Sequence, residues 1–381
     1  MTLSEYKKLF FKSDRLHLNN AGLSPIMKPA QEEINYWANR FYEDGYYSDH
    51  DYMARVDWTR QQIAKLVDCD KEEIAFFPSC AGGISQFAFG INLKAAEEVI
   101  LFDQEYSSNL YPWQQACKKA GAKLIVVDSD VKASVQVDDL IAVITSKTKV
   151  IAISYVQFQT GIVMDLEKLS KICQQKGILL FVDAMQAIGL HPISFKNLKL
   201  DGLVCGSHKW LNAAVGVAFL IVKKDLVLRL DPIAIGSGTY GTCDDPSDFA
   251  CEPKRDASRF EPGAKQVLEI CSMGRSIEVV QQVGIEVLRI ETYRLSAILK
   301  EQIKKLGFEV HENFDNKPTQ FINFSSGPQA KALQKYLFDH GVHLPLRGPG
   351  VRATPHALNS EDDLNKFVKI LAGFTSEAEK K

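Results

Sequence analysis

Long apolar runs are missing from this chain. No stretch approaches the roughly 20 consecutive apolar residues that a membrane-spanning helix needs. The opening residues Met1-Thr2-Leu3-Ser4-Glu5-Tyr6-Lys7-Lys8 also lack the apolar core and small-residue cleavage site of a secretory signal, so a cytoplasmic protein is expected. A charge surplus is missing too: 45 basic against 47 acidic residues leave a net charge of −2, with no electrostatic footprint for nucleic acid or an anionic membrane surface. The eight cysteines, at Cys69, Cys80, Cys117, Cys173, Cys205, Cys243, Cys251 and Cys271, include no Cys-x-x-Cys pair. Several sit inside apolar patterns, which favours buried thiols over a disulfide framework or a metal site. Repeats and low-complexity segments are likewise absent. What remains is an ordinary globular composition, 46% apolar and 24% charged over 381 residues, long enough to bury a large core and to form two domains.

From about residue 73 the pattern alternates between strand-like and helix-like segments. Ile74-Ala75-Phe76-Phe77, Val99-Ile100-Leu101-Phe102, Lys123 to Val127, Val150 to Ile153 and Ile178 to Val182 read as strands. Between the last two, Leu166, Leu169, Ile172 and Cys173 share one helical face. Alternation of this kind predicts an α/β fold with a mostly parallel sheet covered by helices. The stretch from Gly236 to Pro262 reads as a long ordered loop. A helical pattern follows from about Ala264 to Lys305, broken near Gly284, and then a smaller α+β portion with a strand at Gln320 to Phe324 and helices near Ala330–His340 and Asp362–Ala372. The expected organisation is an N-terminal segment over 1–15, a large domain over 16–262, and a connecting helix with a small domain over 263–381. Gly236-Ser237-Gly238-Thr239-Tyr240-Gly241 fits Gly-x-Gly-x-x-Gly, but Asp244, Asp245 and Pro246 follow where a dinucleotide fingerprint requires a helix.

Two of these segments end on chemistry. Leu180-Phe181-Val182-Asp183-Ala184-Met185-Gln186 reads as a buried strand delivering an acid at its C-terminal end, where α/β sheets place their sites. Leu203-Val204-Cys205-Gly206-Ser207-His208-Lys209 is a second apolar run ending on a small-residue turn and a lysine. An amine to hold a carbonyl cofactor and a carboxylate to keep its ring nitrogen protonated are what such a pair can supply. The spacing suits two sheet edges converging on one planar ligand.

The signature Asp201-Gly202-Leu203-Val204-Cys205-Gly206-Ser207-His208-Lys209, followed by Gly216-Val217-Ala218, resembles the class V aminotransferase family of pyridoxal 5'-phosphate (PLP) enzymes. That family includes cysteine desulfurases, isopenicillin N epimerase-like proteins and carbon–sulfur lyases. The resemblance runs from about His17 to about Leu364, and His208-Lys209-Trp210-Leu211 with Leu18-Asn19-Asn20-Ala21-Gly22-Leu23 look most like its epimerase and lyase side. It implies the PLP-dependent transferase fold of type I, PLP as cofactor, a small-molecule amino-acid substrate, and a homodimer with its active sites near the interface.

By the same resemblance Lys209 is the Schiff-base lysine, Asp183 pairs with the pyridine nitrogen, and Gln186 donates to the ring's phenolic oxygen. His208 helps to hold the cofactor. The phosphate falls to the small residues Ala81, Gly82 and Gly83 after Pro78-Ser79-Cys80, where amides opening a helix attract a dianion. Relatives usually carry a threonine at the position of Gly82 and often a serine at that of Gly206, so two hydroxyl contacts are missing, with Ser79 or Ser207 as substitutes. Tyr106 matches the position of a ring stacked over the cofactor, with Trp113 in reserve. Phe158 stands where many relatives keep an asparagine, a role left vacant or passed to Gln157. Arg352 matches the arginine that forks onto the substrate α-carboxylate, and Asn20 lines the same pocket. Gly263 and Ala264, in Arg259-Phe260-Glu261-Pro262-Gly263-Ala264, match a segment that reaches toward the neighbouring subunit's cofactor phosphate. Arg347 and His343 could greet an acidic side chain or be solvated loop residues.

What the resemblance implies for chemistry is displacement of Lys209 by the substrate amine to give an external aldimine, then removal of the Cα proton by the freed lysine. Cysteine desulfurases carry a mobile cysteine before the substrate arginine, whereas Gly341 to Val351 contains none and no cysteine follows Cys271. Transamination is therefore the leading expectation. A desulfurase-like C–S lyase or an epimerase without that cysteine is the alternative, and a non-catalytic PLP-fold binding protein is the reading from another class.

Overall fold

Seven short apolar segments form the central sheet: β1 (Ile74–Phe77), β2 (Glu98–Phe102), β3 (Lys123–Val127), β4 (Thr148–Ser154), β5 (Leu179–Asp183), β6 (Gly202–Gly206) and β7 (Ala218–Val222). A computed structural model describes residues 1–13, 15–129, 136–241, 251–311, 318–348 and 350–378. The strand order is β1-β7-β6-β5-β4-β2-β3. The run from β6 to β3 is parallel throughout, and β7 lies antiparallel to both its neighbours, β6 and β1. Burial on both faces explains why β4 to β7 read as nearly unbroken apolar runs, and β5, β6 and β7 are buried at almost every position.

Helices cover both faces of the sheet, as the alternation predicts. The Cys80–Gly90 helix packs so closely that a Cβ on Gly83 would stand 3.1 Å from Val204 and 3.3 Å from Leu220. The Leu166–Lys176 helix opens on Asp165, which accepts the amide of Lys168, and closes on Gly177 at φ 67°. The helical pattern expected from 264 to 305 resolves into Val267–Val283 and Ile285–Lys305, parted at Gly284, whose φ of 94° an L side chain rarely adopts. The N-terminal helices Lys28–Asp44 and Asp49–Val67, which the sequence pattern did not reveal, pack against the Val267–Val283 helix.

A second, four-stranded antiparallel sheet belongs to the C-terminal part: β8 (Glu309–His311), β9 (Ile322–Ser325), β10 (Leu346–Arg347) and β11 (Gly350–Ala353), in the order β10-β11-β9-β8. Its own hydrophobic cluster gathers Leu295, Leu299, Phe324, Leu337, Phe367 and Leu371. A bridge between Asn19 and Thr354 ties the N-terminal segment to the end of β11. Among the described residues the stretch from Gly236 to Pro262 holds short 3-10 turns at Ser237–Thr239 and Ala257–Phe260 and an isolated bridge between Tyr240 and Pro253, while Cys243, Asp244, Asp245 and Pro246 lie outside the described residues. Among the described residues six cysteines are free thiols, five of them buried, and Cys251 is disulfide-bonded, against the expectation of buried thiols alone. Among the described residues no helix is long and apolar enough to cross a membrane.

Candidate active site

Asp183 is the last residue of β5, and Lys209 stands just beyond the end of β6. The two strands are not sheet edges, as the spacing suggested. They are parallel neighbours in the sheet's interior, with Asp183 opposite Val204. Adjacent parallel strands deliver their C-terminal residues to the same side, so the acid and the amine meet with no contribution from either edge. The turn that carries Lys209 is clasped by Ser207, whose amide donates to Val217 O at 3.3 Å and whose hydroxyl donates to Ala214 O.

Both groups line a cavity of about 330 Å³ that also takes in Ala81, Tyr106, Gln186, His208 and Arg352. Ser79, Phe158 and Arg347, also weighed from the sequence, line the same cavity. Gln186 is buried and already engaged, donating to Ala21 O at 3.1 Å and accepting from Trp210 Nε1 at 2.8 Å. Tyr106 meets Phe158 edge-on at 5.2 Å, and Lys209 Nζ lies 5.7 Å from the centre of its ring. Arg352 is 1% exposed and donates from Nη1 to Phe158 O. Cys80, at the N-terminus of its helix, also faces the cavity and touches Met185, 3.7 Å between sulfurs.

Gly82, Gly83, Ser207, Asn20, Gly263 and Ala264 stand outside the cavity lining. Gly82 spends its amide on the Ser79 cap, at 3.2 Å to the hydroxyl, and Gly83 is pressed against the sheet. That leaves the amides of Cys80 and Ala81, the first two of the helix, without an intrahelical acceptor. Ser207 is turned inward as the clasp described above. Asn20 is buried behind the lining residues Ala21 and Gly22, donating to Thr354 O at 2.9 Å and accepting from Ser24 at 3.0 Å. Gly263 and Ala264 are exposed, next to Glu261, which holds the loop on β1 by accepting Phe76 N at 2.8 Å and pairing with Arg60 and Lys265. Trp113 is buried against Phe87 and Phe181 in the core.

Burial pulls the two central groups toward each other. Desolvation raises the Asp183 carboxyl to about 6, with the Met185 amide pulling it back and Glu105 adding to the rise. Desolvation lowers the Lys209 ammonium to about 8, against the opposing attraction of Asp183. The imidazole of His208 falls to about 4, first from burial and then from the Lys209 charge, and its Nδ1 is buried with no hydrogen-bond partner among the described residues. At neutral pH this leaves a neutral histidine beside a lysine poised between its two states.

Reading the sequence did not single out Glu105 as a site element. It is 5% exposed and accepts four hydrogen bonds: Ser154 N at 2.8 Å, Ser154 Oγ at 2.5 Å, Gln157 Nε2 at 3.0 Å and Asn109 Nδ2 at 2.8 Å. Ser154 ends β4 opposite Asp183, so this carboxylate fixes the strand end beside the central acid. An acid just past an apolar strand is the signal that found Asp183, and it applies equally to Glu105. Gln157 is fully buried, its Nε2 committed to Glu105 and its Oε1 without a partner among the described residues.

An amine and a carboxylate at neighbouring strand ends of a helix-covered sheet, with an aromatic ring and an arginine above, define an enzyme site of the covalent-cofactor kind. The model of the family "Aminotransferase class-V" matches residues 21–368, and the chain belongs to that family of PLP-dependent enzymes. A probable cysteine desulfurase of Pyrococcus abyssi is 24% identical over 379 residues, covering 93% of either chain. Among solved structures, the apo cysteine desulfurase of Thermococcus onnurineus superposes with a TM-score of 0.88 at 20% identity over 99% of both chains. The cystine C–S lyase C-DES, in complex with its reaction product cysteine persulfide, gives 0.87 at 19% over 94% of this chain and 98% of that one. At these identities the two structures establish the fold, PLP fold type I.

The donor set fits PLP. The cavity volume lies within the range of small-ligand sites. Lys209 supplies an amine that loses its proton near pH 8, and Asp183 an acid in reach of it. The amides of Cys80 and Ala81 open a helix toward the cavity, and the partnerless Nδ1 of His208 and Nε of Arg352 are buried polar atoms with capacity to spare.

Proposed function

We propose that this protein is a PLP-dependent C–S lyase that takes an amino acid bearing sulfur on Cβ and releases the sulfur without passing it to a cysteine of its own. The observation that carries this reading is the state of the one free thiol lining the cavity among the described residues. Cys80 is held against Met185, and burial pushes its thiol far above the ordinary range, so it is a poor nucleophile. No cysteine follows Cys271 in the chain, so the small sheet brings none near Arg352. The names of the relatives favour carbon–sulfur chemistry over the transamination that the sequence put first.

In this reading Arg352 grips the α-carboxylate, which fixes the substrate Cα over Lys209. PLP when bound supplies an electron sink for the Cα carbanion. Lys209, with its proton affinity lowered by burial, takes the Cα proton. The Cβ–S bond then breaks with its electron pair leaving on sulfur, and the proton that Lys209 has taken passes to the departing group. Asp183 would hold the proton of the ring nitrogen. Gln186, fixed by Ala21 and Trp210, would meet the ring's oxygen, and Tyr106 would stack on the ring. Gly263 and Ala264, exposed on a loop that Glu261 anchors, reach the cofactor phosphate of a second copy in a homodimer.

The test is product analysis on holoenzyme given cysteine, cystine and sulfur-free amino acids, with and without a 2-oxo acid as amino acceptor. Sulfide or persulfide released together with ammonia and a keto acid, independent of the acceptor, is expected. Keto acid formed only in step with amination of the acceptor would return the enzyme to transamination. Absence of a visible cofactor band after incubation with PLP would make the protein a non-catalytic member of the fold.

A further inference from the structure

We infer that the substrate carries a second anionic group, a carboxylate or its sulfur-acid counterpart, and that Arg347 is the residue that selects it. This rests on the reading of the cavity as an amino-acid site with Arg352 on the α-carboxylate. Arg347 ends β10 directly opposite Gly350 of β11, and Arg352 lies two residues further along β11. Cross-strand partners share a face, as do residues two apart, so both arginines issue from the same side of the small sheet, and both line the cavity.

Neither forms an ion pair among the described residues. Each has a buried Nε with no hydrogen-bond partner. Their side-chain bonds run only to backbone carbonyls, Arg347 Nη1 to Leu346 O at 3.0 Å and Arg352 Nη1 to Phe158 O. Burial lowers the Arg352 guanidinium to about 9 and the charge of Arg347 adds to that fall, which places the two within electrostatic reach of each other. Two close, uncompensated cations in a partly dry pocket are costly, and an anion between them removes the cost.

A path of rings runs from the amine to the second arginine. Lys209 Nζ is 5.7 Å from the Tyr106 ring, Tyr106 is 5.2 Å from Phe158, and Phe158 is 5.9 Å from the Arg347 guanidinium. A side chain extending along those rings reaches Arg347 with its far end. An amino acid with a neutral side chain has one carboxylate for two arginines. The cofactor's phosphate does not supply the second anion in this arrangement, because the amides suited to it belong to the Cys80–Gly90 helix on the large sheet. In the lyase reading the second anion travels with the departing sulfur fragment.

Equilibrium binding separates this inference from the reaction type. α-Methyl amino acids have no Cα proton, so their affinity for holoenzyme, read by calorimetry, does not depend on which bond the enzyme breaks. Wild type should bind α-methylglutamate or α-methylaspartate about 10–100-fold more tightly than the matching amides, the range for a hydrogen bond to a charged group. An α-methyl sulfinate compared with the carboxylate of equal length tells the two anion chemistries apart. Arg347→Gln should erase the preference, and Arg347→Lys should keep part of it, both with the cofactor band and PLP affinity of wild type. The inference fails if wild type binds acids and amides alike or binds neither. It fails also if Arg347→Gln weakens both equally, or if it loosens PLP, which would assign Arg347 to the cofactor. An acid preference without sulfide release would sink the lyase reading and leave this one standing.

Discussion

The two sheets furnish the cavity in opposite ways. The large sheet contributes a carboxylate and an amine at neighbouring strand ends, and burial moves their proton affinities toward neutrality from both sides. The small sheet contributes Arg347 and Arg352, two guanidinium groups whose Nε atoms have no hydrogen-bond partner among the described residues. Groups that change protonation near pH 7 suit proton transfer, and planar guanidinium forks suit fixed recognition of anions. The contrast teaches that chemistry and selectivity are laid on separate scaffolds, so each should yield to mutation with its own signature.

Lys209→Ala should break the chemical half completely. Turnover should vanish, and the cofactor band near 410–430 nm, roughly where protonated imines of PLP absorb, should be lost with it. Retention of that band in the alanine variant would show that another amine holds the cofactor. Asp183→Asn comes next, with kcat falling on the order of 10²–10⁴-fold, the span for losing a group that acts on proton or charge transfer, while amino-acid binding survives. The same variant should stabilise the cofactor-free protein. The folded state holds the Asp183 proton up to about pH 6, whereas an unfolded aspartate releases it near 3.9. The folded state therefore binds more protons in that window, and stability falls as pH rises from about 4 to about 6 and stays reduced above. At about 1.4 kcal/mol per pH unit, asparagine should recover on the order of 2–3 kcal/mol at pH 7. Chemical denaturation of the apo forms would measure it, and equal stability at pH 7 would contradict the raised carboxyl.

Arg352→Gln tests the recognition half. KM for amino acids should rise about 10–100-fold, as for loss of a charge-assisted bond, with kcat changed much less, and lysine should restore little because it cannot fork onto a carboxylate. A fall confined to kcat would move Arg352 into the chemical half. The pH dependence of cofactor loading sharpens the same division. The nucleophile is the neutral amine of Lys209, so the loading rate of apo protein should climb with pH and level off near 8. A lysine with ordinary proton affinity would keep climbing to about 10.4, and stopped-flow absorbance between pH 6 and 10 distinguishes the two.

The large sheet was far more legible in the sequence than the small one. Strands buried on both faces write themselves as apolar runs, and β1, β3 and β5 were placed within a residue or so of their bounds. The break at Gly284 was visible because a positive φ selects glycine. By contrast β8, β10 and β11 have three, two and four residues, too short for any period to emerge. The N-terminal helix Asp49–Val67 hides because its buried face includes Thr59, Arg60 and Gln62, which no apolar stripe announces. In the site, Asp183 and Lys209 could be found because each ends a recognisable apolar segment, and Arg352 through the family resemblance alone. The commitments of Ser207, Gly82 and Asn20 to their own backbone surroundings could not, because they depend on which carbonyls and hydroxyls the tertiary fold brings near.

The smallest expected effect on activity belongs to Glu105→Gln, and it probes how the large sheet keeps its acid in tune. Four donors converge on the two oxygens of Glu105, and an amide in its place turns an N–H toward at least one of them. Leaving a buried donor unmatched costs about 1–3 kcal/mol, which a thermal melt of the holoenzyme would register. The electrostatic consequence runs the other way. The Glu105 charge adds to the rise of the Asp183 carboxyl, so removing it should lower that carboxyl and move the acid limb of the pH–rate profile downward. Turnover at pH 8, where Asp183 is ionised in either protein, should change by no more than a few-fold. An acid limb that stays in place while stability drops would reduce Glu105 to a structural clasp of the β4 end. A limb that shifts would make it a positioning residue for the charge beneath the cofactor, part of the chemical half and without reach to the arginines of the other sheet.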